Sequence, residues 1–226
     1  MNTGWSCVLF DLDGTIADSA AGITSTLSHT LELMGKPVPT PSQLVEFVGP
    51  PIMDGFAALG LNEEESHRAL ALYRRRYHDR GAFDSSVFPG IAEALHALHD
   101  AGLPLALATS KPELQARRML EHYGLADVFT FIGGASEDEV RSEKADVIAY
   151  VLENLRALGV DVSSPVMVGD RFHDVEGATA NRVPTVFVDW GYGSEIESAG
   201  SIAIVYDPED LPALLLGESL PATGTD

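Results

Sequence analysis

The sequence predicts an α/β fold: a doubly wound parallel sheet, Rossmann-like in its core, with an inserted α-helical cap domain. Three observations support this prediction. Short apolar runs recur along the chain, single helix-like segments separate most of them, and the stretch between Thr15 and Val87 is too long for one crossover. Apolar strands that alternate with helices are typical of a parallel sheet covered on both faces. Right-handed crossovers make such a sheet doubly wound.

Five short apolar runs are the predicted strands of this sheet. Polar or small residues follow each run, as expected where a buried strand ends in a loop. The runs are Cys7–Phe10, Leu103–Ala108, Val128–Ile132, Val166–Val168 and Thr185–Val188, and Ile202–Tyr206 is a further candidate strand.

Helix-like segments with apolar residues at helical spacing lie between these runs. They are Glu93–Ala101, Pro112–Tyr123, Lys144–Leu158 and Val175–Asn181, with a terminal helix expected at Pro208–Leu216. Gly102, Gly124 and Gly159 follow three of these segments as candidate C-caps, and Pro112 suits the first turn of its helix.

The long stretch after the first strand predicts a separate helical cap. Its helical segments are Ala17–Met34, Pro41–Val48, Ile52–Leu59 and Glu63–Arg80, with prolines and glycines between them. We expect residues 18–85 to form the cap, with stems at Asp18–Gly22 and Ser85–Gly90. Residues 1–17 and 86–226 should form the α/β core, and residues 217–226 a flexible tail.

Composition excludes several classes of partner. The 226 residues include 34 acidic and 14 basic ones, and the formal net charge of −20 repels nucleic acids and anionic membranes. No apolar run is long enough to span a bilayer, and Met1–Ser6 carries no positive signal-peptide start. Cys7 is the single cysteine, so disulfides are excluded. We expect a cytoplasmic protein, as a monomer or weak dimer. Leu220–Gly224 matches a cell-wall anchoring signal but lacks the apolar segment and basic tail that must follow it.

Chemistry-bearing residues follow the predicted strands at their carboxyl ends, where ligands bind in an open parallel sheet. Asp11 and Asp13 follow the first strand, Thr109, Ser110 and Lys111 the second, and Asp170 and Asp174 the fourth; the third leads through Gly133 and Gly134 towards Lys144. We therefore expect these residues to meet at one edge of the sheet.

Several carboxylates at one place predict a bound cation. At about 4 Å, with an effective dielectric of about 20, each like-charge pair costs roughly 4 kcal/mol. Oxygen-only ligands favour Mg²⁺, held by one or two carboxylates plus waters and substrate. Asp170 and Asp174 share a face if their segment is helical. Taken alone, residues 11–14 could instead be an Asp-Gly turn, and residues 169–174 an acid-rich helix start.

An incoming phosphate facing these carboxylates needs its own donors. Thr109, the Ser110 amide and Lys144 supply a hydroxyl, an N–H and an ammonium. Lys144 could alternatively be a surface lysine. Lys111 is a weaker candidate, because it is expected to point outward from the start of its helix.

These motifs together resemble the haloacid-dehalogenase-like hydrolases. The resemblance rests on Asp-x-Asp-Gly-Thr at 11–15, a strand ending in Thr109, Lys144, and Gly-Asp-x-x-x-Asp at 169–174, and runs from about Ser6 to Trp190. The helical insertion resembles the cap of the phosphoglycolate-phosphatase-like branch. Within that branch, Phe47–Pro51 and Ser142–Ile148 resemble a group linked to 5′-nucleotide hydrolysis.

The resemblance implies roles for the matching residues. Asp11 would be the nucleophile that forms an aspartyl-phosphate, and Asp13 the general acid and then the base. Mg²⁺ would be held by the Asp11 carboxylate, the Asp13 carbonyl and Asp170, with Asp174 in support. Phosphate-binding residues would be Gly14, Thr109, Ser110 and Lys144.

The predicted function is a Mg²⁺-dependent phosphatase acting on a small phosphorylated metabolite, with phosphoglycolate or a 5′-nucleotide as candidates. Asp13 argues against dehalogenation, because a leaving halide needs no proton. A phosphosugar mutase of the same fold and a non-catalytic Mg²⁺- and phosphate-binding regulatory protein remain alternatives.

Two features of the cap have open interpretations. Gly49, Pro50 and Pro51 are expected to contact the leaving group and set specificity, or else to form an ordinary turn between helices. Arg74–Arg76 forms a solvated helix face, or alternatively a positive lip that attracts an anionic substrate. The seven histidines show no metal-ligand pattern.

Overall fold

The computed structural model describes residues 4–218, which contain a six-stranded parallel sheet and a two-stranded antiparallel ribbon. The strands are β1 (Cys7–Phe10), β2 (Ala17–Asp18), β3 (Ser86–Val87), β4 (Leu105–Pro112), β5 (Phe131–Ala135), β6 (Pro165–Gly169), β7 (Thr185–Val188) and β8 (Ala203–Val205). The order in the large sheet is β5–β4–β1–β6–β7–β8. The predicted α/β fold class is confirmed.

Nine helices are described in residues 4–218. They are α1 (Ala20–Leu33), α2 (Pro41–Val45), α3 (Ile52–Ala58), α4 (Glu63–Asp79), α5 (Ile91–Asp100), α6 (Glu113–Tyr123), α7 (Lys144–Ala157), α8 (Phe172–Ala180) and α9 (Leu211–Leu216). None of the helices in this part of the chain has the length and apolar character needed to cross a bilayer.

Strand β1 lies inside the sheet and is buried on both faces. Its side chains alternate between faces, as those of any strand do. Val8 and Phe10 belong to one apolar cluster, which also contains residues of α5, α6 and the helices between β2 and β3. Cys7 and Leu9 belong to a second cluster, built largely from α7. Helices therefore cover both faces, which explains why the strand is a continuous apolar run.

The strand order reverses at β1. From β1 the chain passes outward through β4 to β5 and then returns to place β6 on the other side of β1. In open α/β sheets the crevice at this reversal, outside the carboxyl ends of the strands, is where ligands bind. Asp11, directly after β1, stands at this crevice.

Helices α1 to α4 lie between β2 and β3, which pair through Ala17 with Val87 and Asp18 with Ser86. Helix α1 closely approaches the 3₁₀ turn that follows α4, since a Cβ placed on Gly22 would lie 2.0 Å from the carbonyl oxygen of Gly81. Only a residue without a side chain fits there. The division into a core (1–17 and 86–226) and a cap (18–85) stays a prediction.

Some element boundaries differ from the sequence predictions. Strand β5 begins at Phe131, three residues later than predicted, and continues through Gly133 and Gly134. A Cβ on Gly133 would lie 2.4 Å from Val151, so the strand needs glycine where α7 packs closest. Apolar periodicity does not register glycine, which explains why the strand continues past Ile132; it starts later because Ala126–Val128 form a 3₁₀ turn. Strand β4 similarly extends past Ala108 to Pro112.

The structure describes the predicted terminal helix but only part of the two ends of the chain. Helix α9 ends at Leu216, and Gly217 adopts a left-handed conformation as its C-cap, with φ of 68°. Residues 219–226 of the predicted tail, including Leu220–Gly224, lie outside the described residues, as do the first three residues of Met1–Ser6.

Candidate active site

The turn after β1 places Asp11 at the crevice and buries it. The Asp11 backbone N–H donates to the Val168 carbonyl of β6 at 3.0 Å, which extends the strand pairing by one residue. The residue is 2% exposed. Gly14 has a φ of 89°, and a Cβ there would lie 2.2 Å from the Asp170 carboxylate. The Asp-Gly pair therefore allows the turn to approach Asp170 closely.

Three buried carboxylates converge at this point. Asp11, Asp170 and Asp174 each present an oxygen within 4.8 Å of the others. Asp170 accepts hydrogen bonds from the Thr15 hydroxyl at 3.1 Å and from the Tyr192 N–H at 2.8 Å. These bonds fix its orientation.

Asp174, in the first turn of α8, accepts from the Arg171 N–H at 3.0 Å. Asp170 and Asp174 therefore belong to one helix start, as the spacing of four residues indicated, but they also face Asp11. The acid-rich helix start alone does not account for this convergence.

Lys144 is the basic partner of this cluster. It is the first residue of α7 and is 5% exposed, so the alternative of a surface lysine is wrong. Its ammonium lies 2.7 Å from Asp11 and 2.8 Å from Asp174, and it donates to the Ala108 carbonyl at 3.2 Å. The single ammonium thus pairs with two of the three carboxylates.

Burial and charge shift the proton affinities in this cluster. Burial raises the pKa of Asp11 to about 6, although the Lys144 ammonium opposes the shift. Burial, together with Asp174 and Asp11, also raises the pKa of Asp170 well above its ordinary value. Burial acts against the charge of Lys144, but Asp11 and Asp174 outweigh it and raise the pKa of the ammonium. The cluster therefore holds excess negative charge that costs free energy without a cation.

The donor set fits a hard divalent cation. The three converging groups are carboxylates, the ligands that Mg²⁺ prefers, and thiol or imidazole ligands are absent from the cluster. Asp11 and Asp170 would hold the ion directly. Asp174 is engaged with Lys144 and Arg171, and we expect it to support the site indirectly.

Asp13 lies at the mouth of the crevice, where it pairs with Lys111. Lys111 was expected to point outward, but it is 8% exposed and its ammonium lies 2.8 Å from Asp13. The reason is that β4 continues to Pro112, so Lys111 is still part of the strand and not of the helix. The Ser19 hydroxyl donates to the other Asp13 oxygen at 2.5 Å.

The predicted phosphate-binding residues of β4 reach the same edge of the sheet. Strands β1 and β4 pair through Phe10 and Leu107, so Thr109 lies just beyond the paired residues, as Asp11 does. Thr109 is buried, and its hydroxyl accepts from the Lys111 N–H at 3.3 Å. Ser110 lines the two cavities that open beside the site.

A cleft separates the helices after β2 from the carboxyl edge of the sheet. It holds about 920 Å³ of empty space, part of it open to solvent. Gly49 and Pro50 line it, and Pro51 lines a smaller cavity beside Lys144. The cap wall of the cleft includes Phe47, Leu70, Tyr73, Arg74 and Tyr77.

Arg74 crosses from α4 to the core. Its guanidinium pairs with the Glu139 carboxylate and donates to the Glu137 carbonyl at 3.0 Å. Within the basic run, Arg74 therefore bridges cap and core, which corrects the view of that run as a uniformly solvated face. Arg75 remains exposed and Arg76 half-buried.

Three further residues at the site were not predicted from the sequence. Tyr192 donates its backbone N–H to Asp170, and its hydroxyl accepts from the Ser19 N–H at 2.8 Å at the start of α1. Trp190 donates to the Thr15 carbonyl at 3.0 Å. Arg171 donates from Nη1 to the Val48 carbonyl at 2.5 Å and from Nε to Glu197 at 2.8 Å.

A signal for two of them was present in the sequence. Trp190-Gly191-Tyr192-Gly193 follows β7 after one residue, Asp189, so its glycines lie at the same sheet edge as the acids. A Cβ on Gly193 would lie 1.8 Å from the Asp170 carbonyl oxygen. Glycines after a buried strand are a sign of such close approach. Arg171 carried no comparable signal.

Known proteins share both the sequence and the fold. Residues 8–188 match the model of the haloacid dehalogenase-like hydrolases. A 5′-nucleotidase from Pseudomonas aeruginosa is 37% identical over 84% of this chain and 85% of its own, and a phosphoglycolate phosphatase from Rhodospirillum rubrum is 34% identical over 88% and 86%. A crystal structure of a predicted phosphatase from Clostridium acetobutylicum superposes with a TM-score of 0.88 at 38% identity, over 94% of this chain and 99% of that one.

The chain is also similar to a protein named for a different reaction. The tyrosine-protein kinase PtkA of Mycobacterium tuberculosis is 47% identical over 82% of this chain. The match covers 62% of that relative's own length, so this chain spans less than two thirds of it.

Proposed function

This chain belongs to the haloacid dehalogenase-like hydrolases, and we propose that it is a Mg²⁺-dependent phosphatase that hydrolyses a small phosphomonoester through an aspartyl-phosphate on Asp11. The observation that carries the proposal is the buried convergence of Asp11, Asp170, Asp174 and Lys144 at the strand-order reversal. Asp13 lies two residues from the nucleophile, at the mouth of the same crevice. The sequence motifs and the names of the relatives support the same reaction class.

In the first step, an Asp11 carboxylate oxygen attacks phosphorus, and the bond between phosphorus and the ester oxygen breaks. Asp13 gives its proton to that oxygen, so the leaving group departs as a neutral alcohol. Lys144, Thr109 and the amides of Gly14 and Ser110 bind the transferring phosphoryl group. A bound Mg²⁺ would neutralise charge on the phosphoryl oxygens. The Asp13 carbonyl would complete the metal site with Asp11 and Asp170.

In the second step, Asp13 is ionised and takes a proton from water. The water oxygen attacks phosphorus, the bond to Asp11 breaks, and inorganic phosphate leaves. The helices over the cleft exclude other water during the first step, which protects the intermediate from early hydrolysis. We propose residues 18–85 as this cap and Gly49, Pro50 and Pro51 as contacts to the leaving group.

The proposed substrates are phosphoglycolate and a 5′-nucleotide, and the names of the 5′-nucleotidase and phosphoglycolate phosphatase relatives support both. We propose that the protein works in the cytoplasm as a monomer or weak dimer on such metabolites. A phosphosugar mutase would return the phosphoryl group to a bound sugar. A regulatory protein would bind Mg²⁺ and phosphate without hydrolysing an ester.

A second candidate is phosphoryl transfer to a protein tyrosine, which the 47% identity to PtkA favours. Here Asp11 would lie beside a phosphoryl donor such as a nucleoside triphosphate. The two candidates differ in the final acceptor of the phosphoryl group, a water molecule in one and a tyrosine hydroxyl in the other.

The test measures phosphate release from p-nitrophenyl phosphate and a panel of phosphate esters with and without Mg²⁺. Asp11→Asn should lower kcat at least about 10³-fold, since it removes the nucleophile. Asp100→Asn, at the exposed end of α5, is the matched control. EDTA should abolish activity and added Mg²⁺ restore it.

Three outcomes would argue against the proposal. Phosphate retained on a sugar supports the mutase. Labelled phosphate moving from ATP to a tyrosine peptide, without comparable ester hydrolysis, supports the kinase. Absence of turnover over the whole panel supports the regulatory protein.

A further inference from the structure

The cleft beside the site combines an apolar wall with a tyrosine hydroxyl, that of Tyr73. We propose that this cleft binds the nucleoside half of a 5′-nucleotide, with the Tyr73 hydroxyl as a specificity-determining contact to the sugar. The inference rests on the phosphatase function proposed above, and it chooses the 5′-nucleotide over phosphoglycolate among the candidate substrates.

Tyr73 presents its hydroxyl to the cleft without a protein partner. The residue lies on α4, lines the cleft and is 8% exposed. Its ring stacks on that of Tyr77, with the ring centres 5.4 Å apart, and meets Phe56 edge-on, so the side chain is held in place. Within residues 4–218 its hydroxyl makes no hydrogen bond, and the oxygen is not sealed from solvent. A ligand that hydrogen-bonds this hydroxyl therefore gains affinity.

The Tyr73 hydroxyl lies on the side of the cleft where the ester oxygen must be. The neighbouring Tyr77 hydroxyl accepts from the Lys111 ammonium at 2.8 Å, and that ammonium lies 2.8 Å from Asp13. Burial, followed by the nearby Tyr77, raises the pKa of Tyr73 well above its usual range; the charges of Lys111 and Asp13 also act on it. Tyr73 is therefore a neutral hydroxyl that can donate or accept beside the first atoms of the leaving group.

The cleft offers no unpaired lysine or arginine to a charged leaving group. In the part of the chain that the structure describes, Lys111 and Arg74 line it, and they pair with Asp13 and Glu139. The carboxylate of a glycolate half would lose water here without a free cation to receive it, which is unfavourable. A neutral alcohol half, such as a nucleoside, enters without disturbing either ion pair.

The size and the wall of the cleft fit a flat apolar ring. The empty space of about 920 Å³, part of it open to solvent, is far more than the two carbons of glycolate would fill. Ile23, Phe47, Ile52 and Leu114 line it with apolar surface, and Leu114 is 59% exposed. Covering such surface is favourable, and aromatic side chains are common partners of nucleobases. A nucleoside has sugar hydroxyls near the ester and a base farther out, so it matches both parts of the cleft.

The first experiment measures kcat/KM of the wild-type enzyme with Mg²⁺ for the four ribonucleoside 5′-monophosphates, ribose 5-phosphate and 2-phosphoglycolate. Ribose 5-phosphate keeps the sugar and lacks the base. The best nucleotide should be preferred over ribose 5-phosphate by roughly 10- to 100-fold, the range expected for packing one base against apolar and aromatic side chains. It should also be preferred over phosphoglycolate by at least this factor.

The second experiment uses Tyr73→Phe, which removes the hydroxyl and keeps the ring. It should lower kcat/KM for the best nucleotide and for ribose 5-phosphate about 3- to 10-fold relative to p-nitrophenyl phosphate, whose leaving group has no sugar hydroxyl to bind. The ratio between the nucleotide and ribose 5-phosphate should stay the same, because both carry the sugar.

Tyr150→Phe is the matched control for this variant. Tyr150 is a half-buried tyrosine of α7 that packs on Phe131 and does not line the cleft. Its substitution should leave every ratio between esters unchanged.

Two results would overturn the subsite. The first is a wild-type enzyme that hydrolyses ribose 5-phosphate or phosphoglycolate at least as well as every nucleotide, a result that needs no variant. The second is a Tyr73→Phe enzyme, folded by circular dichroism, that retains the wild-type ratios. In both cases hydrolysis of p-nitrophenyl phosphate would show that the phosphatase function stands. Absence of hydrolysis of every ester by the wild type would overturn the function and the subsite together.

Discussion

The stability of the site depends on how the charges of individual side chains balance one another. Asp11, Asp170 and Asp174 are buried together, and only Lys144 among the described residues neutralises them directly. The same rule applies at the mouth, where Lys111 and Asp13 neutralise each other. Adding or removing one charge at either place changes the stability of the whole site. Two predictions follow from this balance.

Lys144→Met should lower the free energy of unfolding by about 3–5 kcal/mol at about pH 8 without Mg²⁺, because it leaves buried carboxylates unpaired. Lys144→Arg keeps the charge and should cost clearly less. Urea unfolding followed by circular dichroism measures both. A Lys144→Met protein as stable as the wild type would show that the ion pair makes no net contribution.

Stabilisation by Mg²⁺ should increase with pH. The folded-state pKa of Asp11, about 6, lies above the ordinary 3.8, so the folded protein binds this proton more tightly than the unfolded chain. Without metal, this group therefore makes the protein less stable as pH rises from about 4 to about 6. Mg²⁺ competes with the proton and removes this penalty.

The measurement is the rise in Tm on adding Mg²⁺, which should be larger at about pH 8 than at about pH 5. NaCl at equal ionic strength is the control for general screening of the acidic surface. An equal rise at both pH values would contradict the prediction.

At the level of elements, the site is made from the ends of strands and the starts of helices. Strands β1, β4 and β6 deliver Asp11, Thr109 and Asp170 to one edge, while α7 and α8 begin there with Lys144 and Asp174. The loop between α2 and α3 approaches this edge from the cap. Arg171 connects the two, because it lies between Asp170 and Asp174 in sequence and donates to the Val48 carbonyl.

Arg171→Met should release this loop and raise KM for the substrate by roughly 5- to 20-fold, with a smaller effect on kcat. The physical reason is that Arg171 positions Val48 and the adjacent Gly49, which lines the cleft, without contacting the reacting atoms. Steady-state kinetics measures the split between KM and kcat.

The control for this variant is Arg156→Met, at the exposed end of α7. Arg171→Lys, which keeps the charge but has a single donor group, should recover part of the affinity. An equal loss in kcat, with KM unchanged, would place Arg171 in the chemical step instead.

At the scale of the whole molecule, one apolar cluster runs from the sheet into the helices above it. It contains Phe10 of β1 and Leu95 of α5, together with Leu27 of α1 and Phe56 of α3. The antiparallel ribbon β2–β3 and the contact between Arg74 and Glu139 join the same two parts. We therefore expect the described chain to unfold as one cooperative unit.

Leu27→Ala should lower the free energy of unfolding by about 2–5 kcal/mol, as for other buried leucines, and should leave a single transition. Leu33→Ala in the same helix is the matched control; Leu33 is 58% exposed, so its removal should change stability by less than about 0.5 kcal/mol. Calorimetry and circular dichroism measure both variants. Two separate transitions would show that the helices after β2 unfold independently.

The sequence by itself determined the fold class and the acidic centre of the site. Apolar runs of strand length and helical spacing are local properties, and the rule that ligands bind at the carboxyl ends of parallel strands brings Asp11, Asp170 and Lys144 together. The order of the motifs along the chain also led to the resemblance to the haloacid dehalogenase-like hydrolases, which the match over residues 8–188 confirms.

Only the tertiary structure decided which side chains pair across the cleft. Lys111 was expected to face outward because the end of β4 was placed too early, and its contact with Tyr77 joins elements separated by 34 positions. Arg171 and the Val48 carbonyl are 123 positions apart, and no periodicity or local motif encodes such a pair. These contacts depend on how the helices after β2 pack over the sheet, and the free energy of that packing is shared among many residues distant in sequence.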